Sequence, residues 1–171
     1  MTPQDSFDAV ERQQLEERMK SGAHWFYWIA ALSLVTSIIS LVGGSWGFFV
    51  SLGVTQFIDA LANALVNEGG WGGSVKVVAF VFDLVAAGLF ALIGFFAAKR
   101  HAWVFLAGMA LYALDALVFI LARHWLGLAF HAFALYCMYG GYKAAASLAQ
   151  MEQYAPPPAP EPMPVSAETA R

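Results

Sequence analysis

Four stretches of this chain are apolar almost without interruption, and they set its organisation. They run over residues 23–42, 75–98, 102–122 and 125–148. Between residues 23 and 75 the only charged side chains are Asp59 and Glu68. A soluble surface helix keeps a polar face, and these stretches have almost none. Each is close to the ~20 apolar residues that a helix needs to cross the hydrocarbon layer of a bilayer. Backbone groups in lipid must be satisfied within the segment, so all four are predicted to be helices. The expected fold is all-α: a four-helix transmembrane bundle.

The segment between the first two stretches has a different pattern. Over residues 48–67, Ser51, Thr55, Gln56, Asp59, Asn63 and Asn67 fall on one arc of a 3.6-residue helix, opposite Phe49, Val50, Val54, Phe57, Ile58, Leu61 and Leu65. Turn-rich Gly43–Gly47 precedes it, and Gly69, Gly70, Gly72 and Gly73 follow and end it. This predicts an additional amphipathic helix between spans 1 and 2. It either lies in the outer interface with its polar arc to water, or is inserted with that arc turned inward as a fifth span or a cover over an opening in the bundle. Charge counting favours the interfacial position.

The ends are polar. Residues 1–22 are expected to form a cytoplasmic N-terminal helix, with Ser6 as its N-cap and Glu16 and Lys20 as a supporting pair four residues apart. The helix is free to run straight into the first span, which is then an uncleaved signal anchor. Residues 149–171 include PPPAPEPMP and no apolar period, which predicts a disordered Pro-rich cytoplasmic tail.

Composition agrees with the pattern: 60% of the 171 residues are hydrophobic, 12% are charged, and mean hydropathy is +0.60. All six tryptophans fall at or beyond the ends of the apolar stretches, where an indole suits the headgroup layer. With four spans, Arg12, Arg18, Lys20, Lys99, Arg100 and Lys143 share one side, and Lys76 and Arg123 the other. The positive side is normally cytoplasmic, so both termini are expected inside a plasma (inner) membrane. A net charge of −3 without a basic patch excludes nucleic acid as a partner. The partners implied are the lipid bilayer and other membrane proteins or further copies of the chain.

Candidate chemistry is sparse. Asp83, Asp115 and His131 each stand alone inside an apolar stretch, roughly 12, 10 and 9 Å below one membrane face if every span is a simple helix. Ionisable groups inside a membrane are costly and point to a site or to a buried polar contact. Small residues beside them, Ala86, Ala87 and Gly94 on one helix and Gly108 on the other, predict helix–helix contacts there. Ser33, Thr36 and Ser37 of the first span, Tyr112, and Asp59 of the amphipathic helix are the candidate supporting polar residues. Two Asp and one His make a partial ligand set for a divalent metal, and also a set that can hold protons. The structural alternative is that they bond to one another and fix the packing. No cofactor is implied.

Several chemistries lack their residues. Cys137 is the only cysteine, so a dithiol redox role is excluded, and no Gly-rich phosphate loop is present. Two membrane aspartates near one face are also a feature of lipoprotein signal peptidases, but the contexts VFDLV and ALDAL lack that family's accompanying Asn and Arg, and membership is not implied. The near-echo of RHAW at Arg100 and RHW at Arg123 is not spaced as an internal repeat. Two function classes stay open: a non-catalytic membrane component such as a scaffold or accessory subunit, and a site-bearing protein, whether a small transporter, a metal- or proton-binding protein, or a membrane enzyme.

Overall fold

A computed structural model describes residues 3–42, 52–67 and 72–154. These residues form five helices and no strand: α1 (Pro3–Leu41), α2 (Gly53–Asn67), α3 (Gly72–Ala98), α4 (Ala102–Leu121) and α5 (Trp125–Gln153). The helices of α1, α3 and α4 are long and apolar enough to cross a membrane. The tail beyond residue 154, most of the glycine-rich turns flanking α2, Trp46 and Trp71 lie outside the described residues.

At 39 residues α1 is a single helix of about 58 Å, far longer than a bilayer core. The N-terminal helix and the first span are therefore one rod. It begins at Pro3, not beyond Ser6 as a Ser6 N-cap requires; proline suits a first helical position because its missing N–H would be unpaired there anyway. The Glu16–Lys20 pair forms, at 3.9 Å. α5 also outruns its apolar stretch, ending at Gln153.

α1, α3, α4 and α5 pack in a closed ring, each against its two neighbours. The sequence of turns explains the alternation of direction. Three residues join α3 to α4 and three join α4 to α5, too few for anything but antiparallel neighbours. Both turns are built alike, which accounts for the RH echo. Arg100 and Arg123 take the left-handed conformation, at φ 69° and 55°, and His101 and His124 become the N-cap residues of the next helix. At the second turn the His124 N–H donates to Phe119 O (2.9 Å) and the Arg123 N–H to Ile120 O (3.1 Å), the six-to-one and five-to-two bonds that close a helix end. The echo is a shared turn, not a repeated unit.

The core is a column of aromatic rings down the middle of the ring of helices. Phe105 meets Phe26 at 5.9 Å, Phe26 meets Phe90 at 6.4 Å, and Phe90 meets Tyr112 at 6.1 Å. Glycines make room for it. A Cβ on Gly108 would stand 2.5 Å from a Phe26 ring carbon and 2.6 Å from Ile93 Cγ2. Outside, Val78, Val85, Leu92, Leu114 and Leu121 are exposed, while the buried polar residues are Ser33, Thr36, Ser37, Thr55, Asp83, Asp115 and His131. Apolar outside and polar inside is the reverse of a water-soluble bundle and is compatible with a membrane protein. At the end of the bundle carrying the termini, Arg100 bonds both Glu16 of α1 and Glu152 of α5.

The amphipathic helix is present as α2, but its described side chains are turned differently from an interfacial helix with its polar arc to water. Thr55 is buried and Gln56 half-buried, whereas Val54, Phe57 and Leu61 are exposed. The physical reason lies in what the helix packs on: it lies against α3, with its N-terminus reaching α1 and α4. There Thr55 bonds back to Leu52 O, and Val54, Phe57 and Leu61 are left facing outward. Asp59 and Asn63 belong to α2, but their side chains lie outside the described residues.

Candidate functional site

The site forms where the first turn of α2 enters the bundle. A helix begins with backbone N–H groups that have no partner of their own, and Leu52, which precedes α2, has no polar side chain to cap it. Other helices supply the acceptors. The Leu52 N–H donates to Ser33 Oγ of α1 (3.2 Å). The Gly53 N–H donates to Asp115 Oδ2 of α4 (2.7 Å), and the Val54 N–H to Asp115 Oδ1 (2.8 Å). One carboxylate thus caps a helix sixty residues away in the chain, where the positive end of the helix dipole favours its charge. Thr55 Oγ donates to Leu52 O (2.8 Å) and tightens the turn.

His131 stands behind Asp115. Its Nε2 lies 3.0 Å from Asp115 Oδ2, and its Nδ1 lies 2.9 Å from Gly127 O, one turn earlier in α5. A carbonyl only accepts, so Nδ1 carries a hydrogen. Nε2 and the carboxylate cannot both be bare acceptors at 3.0 Å, so a second proton lies between them, on the ring or on the carboxyl. The imidazole is clamped flat against Tyr112, with ring centres 4.2 Å apart and planes 13° from parallel, and Phe119 closes another side at 4.6 Å. Both Asp115 and His131 are buried. The Tyr112 hydroxyl is buried too and makes no hydrogen bond among the described residues.

Asp83 is buried on α3. Phe90 of α3 meets Tyr112 of α4. Moving from that contact toward α2, Asp115 is three residues along α4 and Asp83 seven along α3. Counted from that contact, Asp83 stands four residues further along its helix than Asp115 does along its own. Gly94 packs on Phe26 of α1. Among the described residues no three His, Cys, Asp or Glu side chains come together as a group able to hold a metal.

The supporting residues divide. Ser33 and Tyr112 belong to the Asp115–His131 site directly. Thr36 and Ser37 are buried, but their hydroxyls donate back to Leu32 O and Ser33 O of their own helix, both at 3.0 Å. The partners that sequence reasoning missed are the backbone amides of Leu52, Gly53 and Val54 and the Gly127 carbonyl. Their only signal is the absence of a capping residue before α2. No protein-family model matches the chain, and neither a curated protein nor a solved structure is significantly similar to it.

Proposed function

We propose that this is a multi-pass membrane protein of four spans, α1, α3, α4 and α5, acting as a non-catalytic component that scaffolds or accompanies other membrane proteins. In this reading α5 crosses because it runs back along α4 from a three-residue turn. Its Gly, Tyr and His content lowers its hydropathy; Gly127, His131 and Gly141 are buried against other helices, while Tyr136 and Tyr139 face outward. α2 is too short to cross, at about 22 Å for 15 residues, and serves as an inserted cover with its apolar arc toward lipid.

The single observation that carries the non-catalytic reading is the occupation of Asp115. Both its oxygens accept backbone N–H groups, and one also meets His131. That is a group used to hold a helix in place, with little left for a substrate. The lone fact favouring a proton-handling site is the proton that the Nε2–Oδ2 contact must contain.

Two measurements test this. A reporter fused after Gln153 should be cytoplasmic, because four crossings return the chain to the side of Arg12, Arg18 and Lys20; an exported reporter means an odd number of crossings. Protein extracted from native membranes in mild detergent should run as an assembly larger than one chain. A solitary chain overturns the scaffold reading and leaves the self-contained proton site.

A further inference from the structure

At the end of the bundle carrying the termini, far from Asp115, the glycines at which α1 and α5 touch leave a groove between the two helices. Its mouth, about 490 Å³, is lined by Arg18, Ser21 and Trp25 of α1 and by Lys143 and Ser147 of α5, with Gly141 at its floor. A second hollow of about 480 Å³ shares Ser21 and Trp25 with it and is lined further along by His24, Trp28, Leu32 and Phe130. The walls therefore change character from the first hollow to the second: two cations and two hydroxyls at the mouth, then the His24 imidazole, indoles, leucine and phenyl.

Three features make the mouth selective for a negative group. Arg18 and Lys143 come from opposite walls, and neither forms an ion pair among the described residues. Among the described residues the groove lining includes no carboxylate. The acids flanking it, Glu16 and Glu152, are already held by Arg100. Trp25 stands at the junction of the two hollows in edge-on contact with Phe133, ring centres 5.4 Å apart.

We propose that this groove binds an acidic phospholipid, its phosphate between Arg18 and Lys143 and within reach of the Ser21 and Ser147 hydroxyls, and one acyl chain laid past Trp25 toward Leu32. The occupant is an amphiphile because the path is amphiphilic, and it is anionic because both fixed charges are positive. Basic pockets between membrane helices on the positive side take acidic headgroups in this way. Arginine supplies a fork that matches a phosphate, and lysine reaches to it as a point charge. The proposal rests on α1 and α5 crossing side by side. An exported reporter at Gln153 would remove that premise, whereas the experiment below tests the groove itself.

The full-length protein, purified in detergent, is titrated with phosphatidylglycerol or phosphatidylcholine of the same chain length and read by native mass spectrometry. Wild type should retain phosphatidylglycerol over phosphatidylcholine, and an Arg18→Gln/Lys143→Gln variant should lose about thirtyfold in phosphatidylglycerol affinity, the effect of two interfacial cations. A control variant at the other end, Lys76→Gln/Arg123→Gln, should keep the preference. Equal retention of the two lipids, or an unchanged double variant with the thermal stability of wild type, overturns the proposal. Displacement of the lipid by an equal concentration of inorganic phosphate also overturns it, because the acyl path would then contribute nothing.

Discussion

Replacing Asp115 by alanine should destabilise the protein by about 3–5 kcal/mol, the scale for breaking a buried charged pair by removing one partner. The loss has separate parts. The Gly53 and Val54 N–H groups forfeit acceptors at 2.7 and 2.8 Å, and hydrogen bonds to a charged group are worth roughly 1.5–3 kcal/mol each. His131 is left buried with Nε2 unpaired. Sequence reasoning alone makes Asp→Asn harmless wherever such a residue is structural, since the amide keeps hydrogen-bonding capacity. The geometry predicts otherwise here. An Asn offers one acceptor where two N–H donors converge, and its NH₂ must face one of them. Asp115→Asn should therefore cost about 1–3 kcal/mol. The measurement is unfolding in mixed micelles together with amide exchange. The damage should be concentrated at Leu52, Gly53 and Val54, and unchanged exchange there would show that Asp115 does not hold α2.

Putting a side chain on Gly141 should be comparably damaging, and the same change one residue earlier should not be. A Cβ at Gly141 would lie 2.8 Å from Gly22 Cα and 2.9 Å from the Phe105 ring, and one at Gly22 would lie 2.5 Å from Gly141 Cα. The Gly22–Gly141 contacts are backbone to backbone, so no rotamer change relieves them; α1 and α5 must move apart. Overpacking costs about 1–3 kcal/mol for added methylenes, sometimes more, and Gly141→Leu should exceed that range. A Cβ on Gly140 meets nothing within 4 Å. Gly140→Ala should instead raise stability by roughly 0.5–1 kcal/mol, the usual gain for a helical glycine. Opposite signs at neighbouring glycines, read as melting temperatures in one detergent, are the expected result; equal effects would mean that α1 and α5 do not meet at this point.

The close approach of Gly22 and Gly141 and the capping of α2 by Asp115 have one thing in common. Neither is a property of any single segment. The apolar stretches, their boundaries near Ala98 and Ala102, and the glycine-bounded amphipathic helix follow from local pattern, because lipid and backbone hydrogen bonding act on each segment by itself. The RH turns were visible as an echo, but their meaning needed the left-handed φ of Arg100 and Arg123. Equal depths for Asp83, Asp115 and His131 came from counting along separate helices. Packing decides which of them meet, and it brings Asp115 and His131 within 3.0 Å of each other.

The sequence by itself therefore determined that the chain is helical, that its helices are long and apolar enough for a membrane, and that a few ionisable residues are placed inside them. It also singled out Asp83, Asp115 and His131, with Ser33, Thr36, Ser37, Tyr112 and Asp59, as polar residues in need of partners. Which partners they take was decided by tertiary structure. The direction of the polar arc of α2 was decided there too, since the bundle offered its first turn acceptors that water was expected to supply. The physical reason is that burial obliges every N–H and carboxylate to find a mate without naming it, and the mate is whatever group the packing of the other helices brings within 3 Å.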